Sequence, residues 1–226
     1  MESTLSPSTR PEAINQLINS VERYNPDNVE VLEEYLNAQC ESNENDLTAN
    51  LAVLKLYQFN PHLLNVSALV KILMKALTRF YDADFNLCLC LLSELIVAEE
   101  PVAKVIELKQ YLEEAQFGNF WTALNSGYFV ETLAEMKDYS WSMRQTISHV
   151  VSLAYQTIDQ ALLEDYFNLQ GAELAEYLDT LKWSLDTATG VVSIPLNDSN
   201  QVEPTVITEN VQFAQLTKII GHSSAL

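Results

Sequence analysis

Glycine is scarce in this chain, with five among 226 residues. That leaves little material for the glycine-rich loops that cradle phosphates in nucleotide-handling enzymes. No G-x-S-x-G elbow and no Cys–His family signature occurs. Cysteine is as rare: Cys40, Cys88 and Cys90 form an odd set without framework spacing, the usage of a reducing compartment. Basic residues are outnumbered, 12 against 31 acidic, for a formal charge of −19. The acidity is spread: residues 1–125 hold 8 basic and 18 acidic side chains, and residues 126–226 hold 4 and 13. Such a chain is repelled by phosphate backbones and anionic membranes, so neither direct DNA binding nor membrane binding is expected. The longest apolar run, LCLCLL at 87–92, is far too short to span a bilayer. The opening MESTLSPSTRPEA has no apolar core, so no signal peptide is expected, and the chain is expected in the cytoplasm, with the nucleus compatible.

What is present is helix after helix. Pro11 opens a first helix expected to run to about Arg23, and Asn25–Pro26 starts VEVLEEYLNAQ. A third helix runs from about Asp46 to Phe59 and stops at Asn60 because Pro61 follows. Asn65 caps VSALVKILMKALTRF, and Asp82 is expected to cap one helix over ADFNLCLCLLSELIVA. Pro101 opens VAKVIELKQYLEEA, and FGNFWTALN follows. In the third helix, Leu47, Leu51 and Leu54 share one face while Ala49, Ala52 and Leu56 share the opposite one. A helix that is apolar nearly all round is buried between neighbours, which suggests a stacked helical array without a clean period.

After residue 126 the pattern changes. Helices are expected over 139–157 (YSWSMRQTISHVVSLAYQT), IDQALLEDYFNL and GAELAEYLDTLKW, then a hairpin from KWSLD through TATG to VVSIPL. Three helices followed by a hairpin is the order of a winged helix. Residues 197–205 (NDSNQVEPT) look like a linker, and 206–220 can form a terminal helix. The expected fold is mainly α: a HEAT/TPR-like right-handed array followed by a winged-helix domain. Its divisions are a flexible N-terminus (1–10), the array (11–127), the winged helix (128–196), and a linker with C-terminal helix or tail (197–226).

No residue is put forward as catalytic, cofactor-binding or metal-binding. Cys88 and Cys90 are two apart on an expected helix and point to different faces. With His62, His149 and His222 scattered, they do not make a four-ligand zinc site; two small buried cysteines in a core helix are expected. Glu33–Glu34, Glu99–Glu100 and Glu113–Glu114 are adjacent pairs that do not face each other on a helix, and read as solvated faces. His149 is expected as a packed, hydrogen-bonded core histidine. Trp121, Tyr128 and Phe129 are either a partner hot spot or the packing between the two parts, with the packing favoured. Trp141 and Trp183 are expected in the winged-helix core. Lys71, Lys75 and Arg79 form a short basic ridge, read as a solvated face rather than a phosphate site. The third helix of the winged part carries Glu173, Glu176 and Asp179 against Lys182, which disfavours duplex binding. The candidate partner interface is the apolar stripe of the tail: Val211, Phe213, Leu216, Ile219 and Ile220. Such a stripe is an exposed patch unless a partner covers it or it folds back onto its own array.

A helical array followed by one winged helix resembles the PCI family, whose members are subunits of the proteasome lid, the COP9 signalosome and eukaryotic translation initiation factor 3. RYNP at 23–26, NLAVLKLYQFNP at 50–61, ILMKALT at 72–78, DFNLCLC at 84–90 and HVVSLAYQTID at 149–159 are similar to the K-subunit branch belonging to the initiation factor. Within that resemblance Leu51, Leu54, Leu56, Tyr57, Phe59 and Pro61 are the family-identifying core. The resemblance implies a non-catalytic scaffold in a complex that binds the small ribosomal subunit, seated beside the L subunit. It also implies that residues 206–220 join a helical bundle with neighbouring subunits. The alternatives are a subunit of another PCI assembly or a free protein-binding adaptor.

Overall fold

The computed structural model describes residues 9–42, 44–201, 216–217 and 220–221. Among the described residues the fold is mainly α. The array contains α1 (Glu12–Asn19), α2 (Val29–Ser42), α3 (Leu47–Phe59), α4 (Val66–Leu77), α5 (Asp84–Leu89), α6 (Glu94–Val97), α7 (Glu100–Glu113) and α8 (Phe117–Leu124). After it come α9 (Val130–Ala134), α10 (Tyr139–Ala154), β1 (Thr157–Asp159), α11 (Gln160–Phe167), α12 (Gly171–Leu181), β2 (Ser184–Asp186) and β3 (Val191–Ser193). The expected terminal helix over 206–220 lies outside the described residues except at 216, 217 and 220, all helical.

Helix starts follow from short polar side chains that satisfy the free N–H groups of a first turn. Asp46 accepts from the Ala49 N–H, and Asn65 accepts from those of Ser67 and Ala68. Pro101 stands in the first turn of α7, where a missing N–H removes nothing. Some boundaries depart from the sequence reading. The first helix stops at Asn19, because Ser20 is extended and its hydroxyl caps a separate 3₁₀ turn over Val21–Tyr24. The single helix expected over 83–98 is two. Asp82 does not cap it, since its carboxylate is held by Arg79, and Ser93 starts α6 by accepting from the Ile96 N–H.

α3 is buried on all sides but one. Leu54 and Leu56 are fully enclosed, and Leu47, Ala49, Ala52, Val53 and Tyr57 are buried, with α1, α2, α4 and α5 around them. The six residues taken from the family resemblance divide. Leu54, Leu56 and Tyr57 are buried, Leu51 is half-buried, and Pro61 is exposed. Phe59 is 65% exposed, its ring set edge-on to Tyr24. These two are corrected from core to surface: Phe59 falls in the last turn of α3 at the row that also carries Lys55, and Pro61 opens the 3₁₀ turn beyond it.

The second part has winged-helix order with one addition. Residues 157–159, read as helix ends, form β1, which pairs antiparallel with β3 (Ile158 opposite Val192), so the sheet runs β1-β3-β2. α9 was also not expected. One cluster of buried apolar side chains runs from Ile14 to Ile194 through both parts. Trp183 is in it. Trp141 is 40% exposed and packs edge-on to Tyr177, a correction, because it sits on the outer side of the first turn of α10.

Leu56→Ala is expected to lower the unfolding free energy by about 3 kcal/mol, because a fully enclosed leucine leaves a cavity. Phe59→Ser is expected to cost less than about 1 kcal/mol. Urea denaturation midpoints of the two variants check this, and comparable losses would contradict the placement of Phe59 at the surface.

Candidate partner interfaces

Of the five tail residues put forward, Val211, Phe213 and Ile219 lie outside the described residues. Leu216 and Ile220 are helical and 42% and 61% exposed. The root of the tail is well defined. Asn200 is buried and its amide donates to the carbonyls of Ser152, Tyr155 and Pro195 at 3.1, 3.3 and 3.0 Å. Asn197 donates to the Ser152 carbonyl at 2.8 Å, and Gln156 donates to that of Asn200 at 2.6 Å. The helix end leaves carbonyls without partners, and these side chains supply the donors. Residues 197–200 are therefore a fixed turn rather than the start of a linker, and the chain leaves the winged part from a set post. Asparagine before and after Asp198–Ser199 was the available signal, since its side chain both donates and accepts.

α12 exposes Glu173, Glu176 and Asp179. In the turn between β2 and β3, Asp186 accepts from Thr189 and the Ala188 N–H, which holds its carboxyl below the usual range. The face that would enter a groove in a duplex reader is therefore acidic.

The basic ridge is not a solvated face. Lys71 and Lys75 are buried at 8% and 2% exposure. Lys75 Nζ donates to the Gln39 carbonyl at 2.8 Å, tying α4 to α2. Lys71 Nζ donates to Asn37 and pairs with Glu135, tying α4 to α2 and the end of α9. Arg79 pairs with Asp82. The i, i+4 spacing is real, but it faces neighbouring helices whose acceptors, one of them a backbone carbonyl, leave no mark in the local sequence. Burial pushes the Lys75 ammonium below its usual value of 10.5.

Trp121 and Phe129 are buried, whereas Tyr128 is 43% exposed. Trp121 Nε1 donates to the Tyr166 carbonyl at 2.8 Å, and the Arg144 guanidinium lies 5.3 Å from the Trp121 ring centroid. Phe117 meets Tyr166 edge-on at 5.0 Å. α8 approaches α11 so closely that a Cβ on Gly118 would sit 2.4 Å from Asp165 Oδ1, so glycine is what allows the contact. Trp121 is thus packing between the two parts, whereas Tyr128 is not enclosed by it.

Cys88 is buried, but Cys90 is exposed, correcting the expectation of two buried thiols; the i, i+2 spacing turns the second outward. His149 is likewise exposed, its ring 5.2 Å from that of Tyr81. Among the described residues no group of three or more His, Cys, Asp or Glu is placed to hold a metal ion. No helix among them is long and apolar enough to cross a membrane.

Residues 63–205 match a model of the CSN8/PSMD8/EIF3K family. The chain is similar along nearly its whole length to proteins named eukaryotic translation initiation factor 3 subunit K. The one from Anopheles gambiae is 37% identical, covering 92% of this chain and 93% of the relative. That from Phaeosphaeria nodorum is 35% identical, covering 93% of each. That from Homo sapiens is 34% identical, covering 93% and 95%.

The buried Lys75 generates a pH dependence. Between its lowered folded value and 10.5 the unfolded chain binds more protons than the folded one, so this group makes stability rise with pH there. Lys75→Met is expected to lack that rise. Urea denaturation of both proteins near neutrality and again near 10.5 reads the difference. Parallel pH profiles would show that Lys75 is not buried in its charged form.

Proposed function

The chain belongs to the CSN8/PSMD8/EIF3K family, and from that membership we propose that it is a non-catalytic scaffold subunit of the eukaryotic translation initiation factor 3 complex. The observation that carries this is the similarity to proteins of that name over more than nine-tenths of both chains. It favours the initiation factor over the proteasome lid or the COP9 signalosome, to which the same architecture extends.

On this reading residues 11–127 are the array, 128–196 the winged-helix domain, and 197–226 the tail. The subunit acts in the cytoplasm through protein contacts, touching subunit L and meeting the small ribosomal subunit through the complex. The acidic face of α12 supports a winged helix used for protein contact, because carboxylates turned toward phosphates are repelled. A scaffold role fits the use of polar groups inside the fold. Asp46, Gln39, Lys71 and Lys75 are spent on groups of neighbouring segments: Arg10, Asn50, Asn37 and the Gln39 carbonyl respectively. The tail stripe of Val211, Phe213, Leu216, Ile219 and Ile220 is the contact through which the subunit joins its neighbours.

Affinity purification from the source cell is expected to co-isolate initiation factor 3 subunits and small ribosomal subunits. Proteasome-lid or signalosome subunits in their place would overturn the assignment. Deleting residues 205–226 is expected to weaken incorporation into the complex while leaving the fold intact; unchanged incorporation would remove the tail from the interface.

A further inference from the structure

α3 is enclosed by its neighbours except along one row. Thr48, Leu51, Lys55 and Phe59 follow one another at i, i+3, i+7 and i+11, which is about three helical turns. Beside this row lies a groove of 340 Å³. Ile18 from α1, Leu51 and Ala52 from α3, and Leu87 and Leu91 from α5 and the turn after it make its apolar walls. The surface beyond stays apolar: Tyr24 lines the groove, Phe59 meets Tyr24 ring to edge, and Val21, one 3₁₀ turn from Tyr24, is 82% exposed. A contiguous apolar patch of this kind marks an interaction site.

The charges on the groove say what fits it. Arg23 and Lys55 both line it and both are exposed. Among the described residues neither takes part in an ion pair, although acidic side chains outnumber basic ones 31 to 12 in the chain. Arg23 donates to the Tyr24 hydroxyl at 2.7 Å and lies 4.7 Å from that ring's centroid, which leaves its charge without a carboxylate. Two cations so placed on one apolar groove, in a molecule this acidic, call for carboxylates on the occupant. The walls narrow its backbone as well. All three are helical, with no strand edge to pair an extended peptide. A strand laid there would leave donors and acceptors unsatisfied against apolar side chains, whereas a helix satisfies its own.

We propose that this groove is a docking site for an amphipathic helix of a partner protein, its apolar seam lying along α3 and its acidic flanks meeting Arg23 and Lys55. The helix would occupy the position that a further helix of the array would take. The site is distinct from the tail stripe and does not depend on which complex the subunit serves.

The test uses the full chain and two synthetic helices of about four turns, labelled for fluorescence anisotropy. Both carry leucines at i, i+4 and i+7; one has glutamates flanking the seam and the other lysines. The glutamate helix is expected to bind at least ~10-fold more tightly, because exchanging attraction for repulsion at two sites acts on partner choice. Arg23→Glu with Lys55→Glu is expected to reverse the preference. Leu87→Asp is expected to weaken both helices by about 10-fold, the loss of one apolar anchor. All three substitutions are at exposed positions, and circular dichroism checks that the fold is retained. Equal affinity of the wild-type chain for the two helices, no binding of either, or binding insensitive to both variants would overturn the proposal.

Discussion

One buried carboxylate sets the register of the array. Asp46 is fully enclosed, and three segments converge on it. Arg10 donates both Nε and Nη2 to it at 2.5 and 2.6 Å, Tyr35 of α2 donates its hydroxyl at 3.1 Å, and its own helix starts on it through the Ala49 N–H. The Asp46 N–H in turn donates to Gln39, whose amide meets Asn50 of α3. The Asp46 hydrogen bond raises the Arg10 guanidinium above its ordinary value, and burial pushes Tyr35 up to about 12. Apolar packing alone would not fix α3. A helix with leucine or alanine on nearly every side can turn about its axis at little cost, because one apolar face resembles another. Asp46 and Asn50 remove that freedom, since only one rotation returns both to their partners. A buried ion pair adds little net stability over a well-packed apolar substitute, but losing one partner costs about 3–5 kcal/mol. That asymmetry makes it a register device.

The same use of polar struts joins the two parts. Thr146 of α10 donates to the Thr78 carbonyl at 2.6 Å, the Lys137 N–H donates to the Cys40 carbonyl at 3.1 Å, and Trp121 Nε1 of α8 donates to the Tyr166 carbonyl at 2.8 Å. Tyr139, fully buried, points its hydroxyl at Met74 Sδ. Each strut ends on a group that no short sequence window contains. Between them lies one continuous apolar core. Surfaces of the array and of the winged part are thereby held in fixed relation, as a protein that positions other proteins requires.

This explains which features could be read from sequence. Caps are local, so the starts of α3, α4 and α7 were legible from Asp46, Asn65 and Pro101. The burial of α3 was legible because apolar residues at every phase of the helical period admit few alternatives. β1 was not legible: three residues of QTID gain strand geometry only by pairing with β3, across more than thirty residues of chain. The burial of Lys71 and Lys75 is hidden for the same reason, because spacing shows that two side chains share a face but not what that face meets. Phe59 departs in the opposite sense, an apolar residue in an apolar run whose position on the helix points outward. The post at Asn200 was hidden because a capping side chain some forty-five residues from the carbonyls it serves looks like an ordinary linker asparagine.

The stretch NLAVLKLYQFNP thus does two different jobs on two sides of one helix. Leu54, Leu56 and Tyr57 face inward, and residues of that kind are fixed by volume and shape. Leu54 and Leu56, fully enclosed, cannot touch a partner. Lys55 and Phe59 face outward on the row along which the docking helix is proposed, where volume is unconstrained and charge decides what can approach. A single helix therefore carries core packing on one side and, on the other, the row along which the docking helix is proposed. The rotation that Asp46 and Asn50 impose decides which residues serve which. Buried polar groups placed between α2 and α3 in this way determine the chemistry of a surface they do not reach.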